Sequence, residues 1–238
     1  MARGMSAIPY DIRRSARARR LSARVHRDGR VEIVAPRLLP LWVISDFVDR
    51  HRLWIEQRVS EACARHVPQP FPPLCLELPA LERRWSLTTV VTTGGDVRLL
   101  ERSAETLELH HPLEADLTIL AHTLREWLRD VIRQPFEQRL STLALQHGYR
   151  YERMQLRWQR SRWGSCSRRG VISLNGCAAF QSSAVLDYLM IHELAHTRYM
   201  NHSKQYWAEV ARCAANWHTL DAELRQGWQR VPAWIFRR

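Results

Sequence analysis

Apolar positions along this chain change their period several times, and each change predicts an element. Residues 21–26 and 30–35 are strand-like runs joined at Asp28-Gly29, a hairpin signal. Over residues 39–65 the spacing becomes helical, with Leu41, Ile44, Phe47, Val48, Trp54, Ile55 and Val59 on one stripe. The run Val67-Pro68-Gln69-Pro70-Phe71-Pro72-Pro73 breaks all regular structure and reads as a linker over 67–73. Strand patterns return at 85–91 and 97–100, either side of Thr93-Gly94-Gly95-Asp96, and again at 106–110. Residues 1–110 therefore predict an N-terminal, mainly antiparallel β-rich region carrying one helix.

Residues 111–238 have a different rhythm. A long helical period runs over 114–147 through Leu117, Leu120, Leu124, Trp127, Leu128 and Val131, with Pro135 expected to kink or split it. Strands are predicted at about 151–159 and 170–175. A core helix follows, with Val185, Leu186, Leu189, Met190 and Leu194 on its stripe and Ser183 as N-cap. Asp187 lies near the N-terminus of that helix, where negative charge is favoured. One more helix is marked by Trp207, Val210, Ala211, Ala214 and Trp217, and Trp228 and Trp234 are expected to pack back onto the core. The whole reads as an α+β protein of two regions, 1–110 and 111–238.

Composition narrows the classes. A hydrophobic content of 45% in 238 residues supports a real core. No apolar run approaches the ~18 residues of a membrane span, so none is expected. The N-terminus is basic but lacks the apolar stretch of a secretory signal. Five cysteines, an odd number without a C-x-x-C pair, predict reduced thiols in a cytoplasmic protein. The net charge of +12 raises nucleic acid or anionic surfaces as partners. Yet Lys204 is the only lysine among 36 basic residues and asparagines number three, a bias suggesting a GC-rich bacterial genome. The one dense cluster, between Arg13 and Arg20, reads either as a phosphate contact or as a solvated strand edge. Weak nucleic-acid contact through the basic surface stays open.

The chemistry concentrates in His192-Glu193-Leu194-Ala195-His196-Thr197-Arg198-Tyr199-Met200-Asn201-His202. Histidines four apart on a helix lie about 40° apart, so both imidazoles can reach one metal ion. Glu193 sits off that line, placed to work on a water without being a ligand. A shuffled chain with 11 His and 15 Glu among 238 residues would contain H-E-x-x-H about 3% of the time, so the motif alone does not suffice. Its place on a core helix strengthens it. His202, six residues after His196, joins the pair only if the helix ends between them. Asn201 tolerates the left-handed conformation that stops helices, and Ser203 can cap a new one. The other reading of His202 is an exposed histidine in a turn. The spacing matches the metzincin pattern, but Tyr199 stands where that pattern has glycine. Three neutral ligands with a fourth position open are the arrangement of a catalytic zinc.

Upstream, Arg160-Ser161-Arg162-Trp163-Gly164-Ser165-Cys166 and Leu174-Asn175 have a functional reading as well. A substrate peptide can add as a strand to a sheet edge beside the metal helix, with Gly164 allowing close approach. Arg162, Trp163, Gly164, Ser165 and Asn175 are the candidate substrate-binding residues. The plainer reading is a tight hairpin with Trp163 packed. Cys166 fits a nucleophile, a fourth ligand or a small buried thiol.

Three blocks give this chain its resemblance to the YgjP-like metallopeptidase family, related to WLM and SprT-like zinc proteases. They are Ile12-Arg13-Arg14-Ser15 through Asp28-Gly29-Arg30-Val31-Glu32, then Arg162–Cys166 with Leu174-Asn175, and lastly His192 to Trp207. The resemblance covers about residues 8–220. It implies a zincin-like α+β catalytic domain behind the β-rich region, with zinc on His192, His196 and His202 and Glu193 catalytic. It also implies a bacterial cytoplasmic protein that acts on peptide or protein substrates. Two alternatives follow from the residues: a zinc hydrolase of a non-peptide substrate such as a nucleotide, and a DNA-associated protein with a structural zinc.

Overall fold

The computed structural model describes residues 8–26, 29–65 and 70–237, with side chains from 63 to 65 left aside. Asp28 of the expected turn, residues 67–69 of the expected linker and the Cys63 side chain lie outside the described residues. The chain divides into two compact units, residues 1–69 and 70–238.

In the first unit, strands β1 (Tyr10–Ser15), β2 (Ser22–Val25) and β3 (Val31–Pro36) form a sheet in the order β1-β3-β2. The β2–β3 pair is antiparallel, as the hairpin pattern predicts, whereas β1 runs parallel to β3. The expected single helix is two, α1 (Leu41–Arg50) and α2 (Arg52–Arg65). The break falls at His51, whose ring Nδ1 lies 2.8 Å from the Phe47 carbonyl oxygen while its backbone bonds the last turn of α1. Such capping contacts satisfy carbonyls that the helix end leaves free. Ile33, Ala35, Ile44, Val48 and Ile55 make the core of this unit. The basic cluster lies on and just beyond the edge strand β1. There Arg13 pairs with Glu32 at 3.1 Å and Arg14 donates to the Arg37 and Leu39 carbonyls at 2.8 Å each.

The second unit carries two sheets. Strands β4 (Cys75–Leu78), β5 (Arg83–Thr92), β6 (Arg98–Ser103) and β7 (Thr106–Pro112) lie in the order β4-β5-β7-β6. The β4–β5 and β6–β7 pairs are antiparallel, but β5 pairs with β7 in parallel. The 93–96 turn therefore leads to a strand beyond β7 rather than closing a hairpin on β5.

Helix α3 (Leu117–His147) follows, capped by Asp116, whose carboxylate accepts from the Thr118 amide at 2.7 Å, and stopped by Gly148 at φ 70. It is continuous through Pro135, so of the kink or split expected there the split does not occur. Leu128, Ile132, Phe136 and Leu140 are buried on both sides of the proline. That packing outweighs the one backbone bond, to the Val131 carbonyl, that proline removes. The boundary expected at residue 110 is corrected by the same packing. Trp85, Leu87, Leu107 and Leu109 share one buried cluster with Leu120 and Leu124, and Trp85 meets Trp127 edge to face at 5.0 Å.

Three short strands complete the unit's sheets: β8 (Arg153–Arg157), β9 (Gly164–Cys166) and β10 (Val171–Asn175), ordered β8-β10-β9. β9 is an edge, antiparallel to β10, and Gly170 closes the turn between them at φ 76. Helices α4 (Ser183–Ala195), α5 (Lys204–Cys213) and α6 (Trp217–Gln226) follow, with α4 packed against α3, α5, α6 and β9. The architecture is α+β, with six helices and three small sheets among the described residues. Among the described residues, no helix is long and apolar enough to cross a membrane.

Candidate metal centre

The N-cap of α4 is Ser182, one residue earlier than expected, its Oγ accepting from the Val185 amide at 3.4 Å. Asp187 is held from the side by Arg139 of α3, with Nη2 donating to Oδ2 at 2.8 Å. Nearly every side chain of α4 from Val185 to Ala195 is buried, so this helix is the centre of the unit.

The helix ends at Ala195, with His196 as its C-cap. This is earlier than the stop expected at Asn201, whose φ is not positive. Local and tertiary bonds explain the early exit. Thr197 Oγ1 donates to the Leu194 carbonyl at 2.7 Å, competing with the backbone donors. Arg198 lies over the Tyr149 ring at 4.6 Å and donates to the Gly148 carbonyl at 2.6 Å and to Glu209 at 2.5 Å. Ser203 then caps α5, accepting from the Tyr206 amide at 3.3 Å. The turn brings His202 back to the pair.

One ring nitrogen from each of His192, His196 and His202 lies within 4.8 Å of the others, a group that could hold a metal ion. Hydrogen bonds orient two of the rings. The Nδ1–H of His196 donates to the Tyr199 carbonyl at 3.0 Å. Tyr188 gives its hydroxyl proton to Asp221 at 2.9 Å, so its oxygen accepts from the Nδ1–H of His192 at 3.4 Å. Both rings thus keep the lone pair on Nε2, the atom left for a metal. The Nε2 atoms of His192 and His202 are 3.3 Å apart. Burial lowers the His192 pKa to about 4, with the neighbouring histidines adding to the effect, and burial lowers that of His196 too. Neutral imidazoles are what metal ligation requires.

Aromatic rings wall the centre. Tyr206 stacks on His196 at 4.6 Å and its hydroxyl donates to the His192 carbonyl at 3.1 Å. Trp207 stacks on His202 at 5.5 Å and is backed by Trp217 at 4.3 Å.

Glu193 is 4% exposed, and burial pushes its carboxyl up to about 8, with Arg162 opposing. Its carboxylate has no hydrogen-bond partner among the described residues and faces a cleft of about 270 Å³ shared with the three histidines. Gly164, Ser165, Cys166 and Met200 complete the lining. Gly164 makes room for this carboxylate: an added Cβ would fall on Oε1 and lie 2.8 Å from Cδ. The close approach expected of Gly164 is therefore made by Glu193 itself.

The remaining candidates divide. Ser165 lies on β9 and lines the cleft, whereas exposed Arg162 does not line it but is near enough for its charge to lower the Glu193 carboxyl. Trp163 is turned inward, stacked on Trp228 at 4.0 Å. Asn175 is 1% exposed, and its Nδ2 donates to the Gln159 and Arg162 carbonyls at 2.7 and 2.8 Å. Those two side chains hold the hairpin loop in place and do not line the cleft. Cys166 does line it, but burial, with the Glu193 charge, raises its thiol to about 11, and its sulfur is not one of the metal-holding group.

Sequence reasoning missed Tyr188, Asp221, Tyr206 and Trp207. Tyr188, four residues before His192, carries a helical-spacing signal; Asp221 comes from α6 and carries none.

No curated protein is similar to this chain. The crystal structure of the metallopeptidase zymogen of Pyrococcus abyssi abylysin is 23% identical, with a TM-score of 0.37, over 40% of this chain and 96% of that one. That likeness is too slight to carry an argument. The family model of the YgjP-like metallopeptidase domain matches residues 19–227, most of each unit. The chain belongs to the YgjP-like metallopeptidase family.

Proposed function

We propose that this protein is a zinc-dependent peptidase, with zinc held by His192, His196 and His202 and Glu193 acting as general base. The observation that carries the reading is the convergence of three imidazoles, two with Nδ1–H engaged elsewhere, on a cleft that also holds an unpartnered carboxylate. The donor set suits zinc: tetrahedral nitrogen ligands at about 2.0–2.1 Å stand about 3.3 Å from one another. The His192–His202 separation is 3.3 Å, and all three ligand atoms lie within 4.8 Å of one another.

Bound zinc supplies Lewis acidity, polarising a carbonyl and acidifying a water. The protein's own groups do the rest. Glu193 takes a proton from the attacking water and delivers it to the leaving amine. Burial makes the ionised Glu193 a stronger base, and the nearby Arg162 charge favours that ionised form.

The substrate is held on the edge of β9. The Asn175 amide donates to the Trp163 carbonyl at 2.7 Å, and that of Ser167 to the Val171 carbonyl at 3.0 Å. Antiparallel pairs alternate between bonded and non-bonded, so the amide groups of Gly164 and Cys166 point away from β10. A peptide laid along that edge gains main-chain hydrogen bonds whatever its side chains.

A structural zinc would need a fourth ligand at compact spacing, and among the described residues the group holds three. A screen of peptides and nucleotides, with Glu193→Gln as control, tests the reading. Peptide cleavage lost in the variant is expected; cleavage of nucleotides alone would replace the reading with the non-peptide alternative.

A further inference from the structure

The hairpin that offers its edge to the cleft is charged in one sense only. Between residues 157 and 169 the chain has Arg157, Arg160, Arg162, Arg168 and Arg169 and no acidic residue. Arg157 donates to Gln155, and Arg160 donates to the Phe236 carbonyl and lies over that ring. The guanidinium groups of Arg162, Arg168 and Arg169 are exposed, with no hydrogen bond or ion pair among the described residues. Elsewhere in the same unit Arg102, Arg129, Arg139, Arg198, Arg212 and Arg225 each have a carboxylate partner, while Arg98, Arg133, Arg150 and Arg153 have none among the described residues but lie apart in sequence from the cleft's edge strand. Of the acidic residues between 150 and 206, Asp187 is taken by Arg139 and Glu193 is buried, which leaves only the exposed Glu152.

These three arginines bracket the open edge. Arg162 lies two residues before Gly164, near enough to Glu193 for its charge to lower that carboxyl, while Arg168 and Arg169 occupy the turn after Cys166. At about 3.4 Å per residue, an extended peptide on β9 meets a guanidinium within two or three residues of the cleft in either direction. Resting on the peptidase reading above, we propose that the substrates are polypeptides with acidic side chains on both sides of the scissile bond. Nucleic acid fits the same site less well. Single strands are held by aromatic stacking as well as charge, and the hairpin's aromatics, Trp158 and Trp163, pack against the core. The outward amide groups of Gly164 and Cys166 complement a peptide main chain instead.

The test uses the zinc-loaded enzyme and three peptide series with one shared core, flanked by Glu, Gln or Lys. Three solvent-exposed ion pairs predict a kcat/KM about tenfold higher for Glu than for Gln flanks at about 50 mM salt, with Lys flanks lower still. At about 500 mM salt the Glu-to-Gln ratio falls toward one, because screening shortens the reach of exposed charge. The ratio also falls toward one in the R162Q/R168Q/R169Q variant. Equal rates for the three series, or a ratio unchanged by both salt and the triple variant, overturns the inference and leaves the peptidase reading standing. An oligonucleotide of equal charge that displaces the Glu-flanked peptide more effectively than a second acidic peptide overturns it as well. If the loaded enzyme cleaves no peptide of any series, the peptidase reading fails and takes this inference with it.

Discussion

Removing one hydroxyl from Tyr188 tests how the centre is oriented. The Tyr188 oxygen accepts from His192 Nδ1–H at 3.4 Å and passes its own proton to Asp221 at 2.9 Å, while Asp221 is also paired with Arg225 at 2.6 Å. Tyr188→Phe keeps the buried ring and its edge-to-face contact with His192 at 5.9 Å, so the packing loss is small. The variant leaves one imidazole N–H and one carboxylate oxygen without their partner in a largely buried place. Each such loss costs about 1–3 kcal/mol, and outer partners of metal-binding histidines are typically worth 10–100-fold in metal affinity. We expect zinc affinity to fall about 10–100-fold. Asp221→Asn is expected to lower it less, because an amide oxygen still accepts from Tyr188. The assay is chelator competition at fixed pH, read alongside denaturant unfolding of the metal-free protein. Unchanged zinc affinity in Tyr188→Phe, with the fold intact, would refute the argument that this chain of bonds sets the His192 tautomer.

Three further predictions follow from single positions. Gly164→Ala pushes a Cβ onto the Glu193 carboxylate, so peptide hydrolysis should fall more than about tenfold while zinc content stays that of the wild type; a proportional loss of zinc would contradict this. Asn175→Ala leaves two carbonyls of the 159–162 loop unpartnered and should destabilise the protein by about 2–4 kcal/mol in urea unfolding, whereas an effect on KM alone would restore Asn175 as a substrate contact. Glu209 has its carboxyl held down to about 2, first by Arg212 and also by Arg198. A depressed carboxylate stabilises the fold above its ordinary pKa of about 4.5 and loses that effect as pH falls toward 2. Glu209→Gln should therefore cost about 1 kcal/mol at pH 7, given solvent screening, and the difference from wild type should shrink below pH 4. A constant difference across that range would remove the electrostatic explanation.

Elements with a long apolar period were the legible ones. The stripe from Leu117 to Val131 and the alternation in β2, β3, β5 and β7 specify local structure because each period matches one backbone geometry. Pairing was legible only for the β2–β3 hairpin. Nothing near β1 or β5 in sequence says that each runs parallel to a strand reached across a third, since register and neighbour are settled by burial across the sheet. Three-residue β9 is too short to show a period, so the cleft's edge was visible only through Gly164. At the centre, the His192–His196 spacing carried its own geometry, and His202 required a break after it. The place of that break came from Thr197 and from Arg198 reaching Gly148 and Glu209, contacts made by the folded protein. Asp221 reached the site on a separate helix, and no local pattern marks it.

The central claim is a three-histidine zinc centre in which Glu193 acts on the proton and does not hold the metal. Zinc content measured side by side in the wild type, His192→Ala and Glu193→Gln tests it most directly. About one zinc per chain is expected in the wild type and in Glu193→Gln, and loss of zinc in His192→Ala. A wild-type protein without zinc, or a Glu193→Gln protein that loses it together with His192→Ala, would contradict the account.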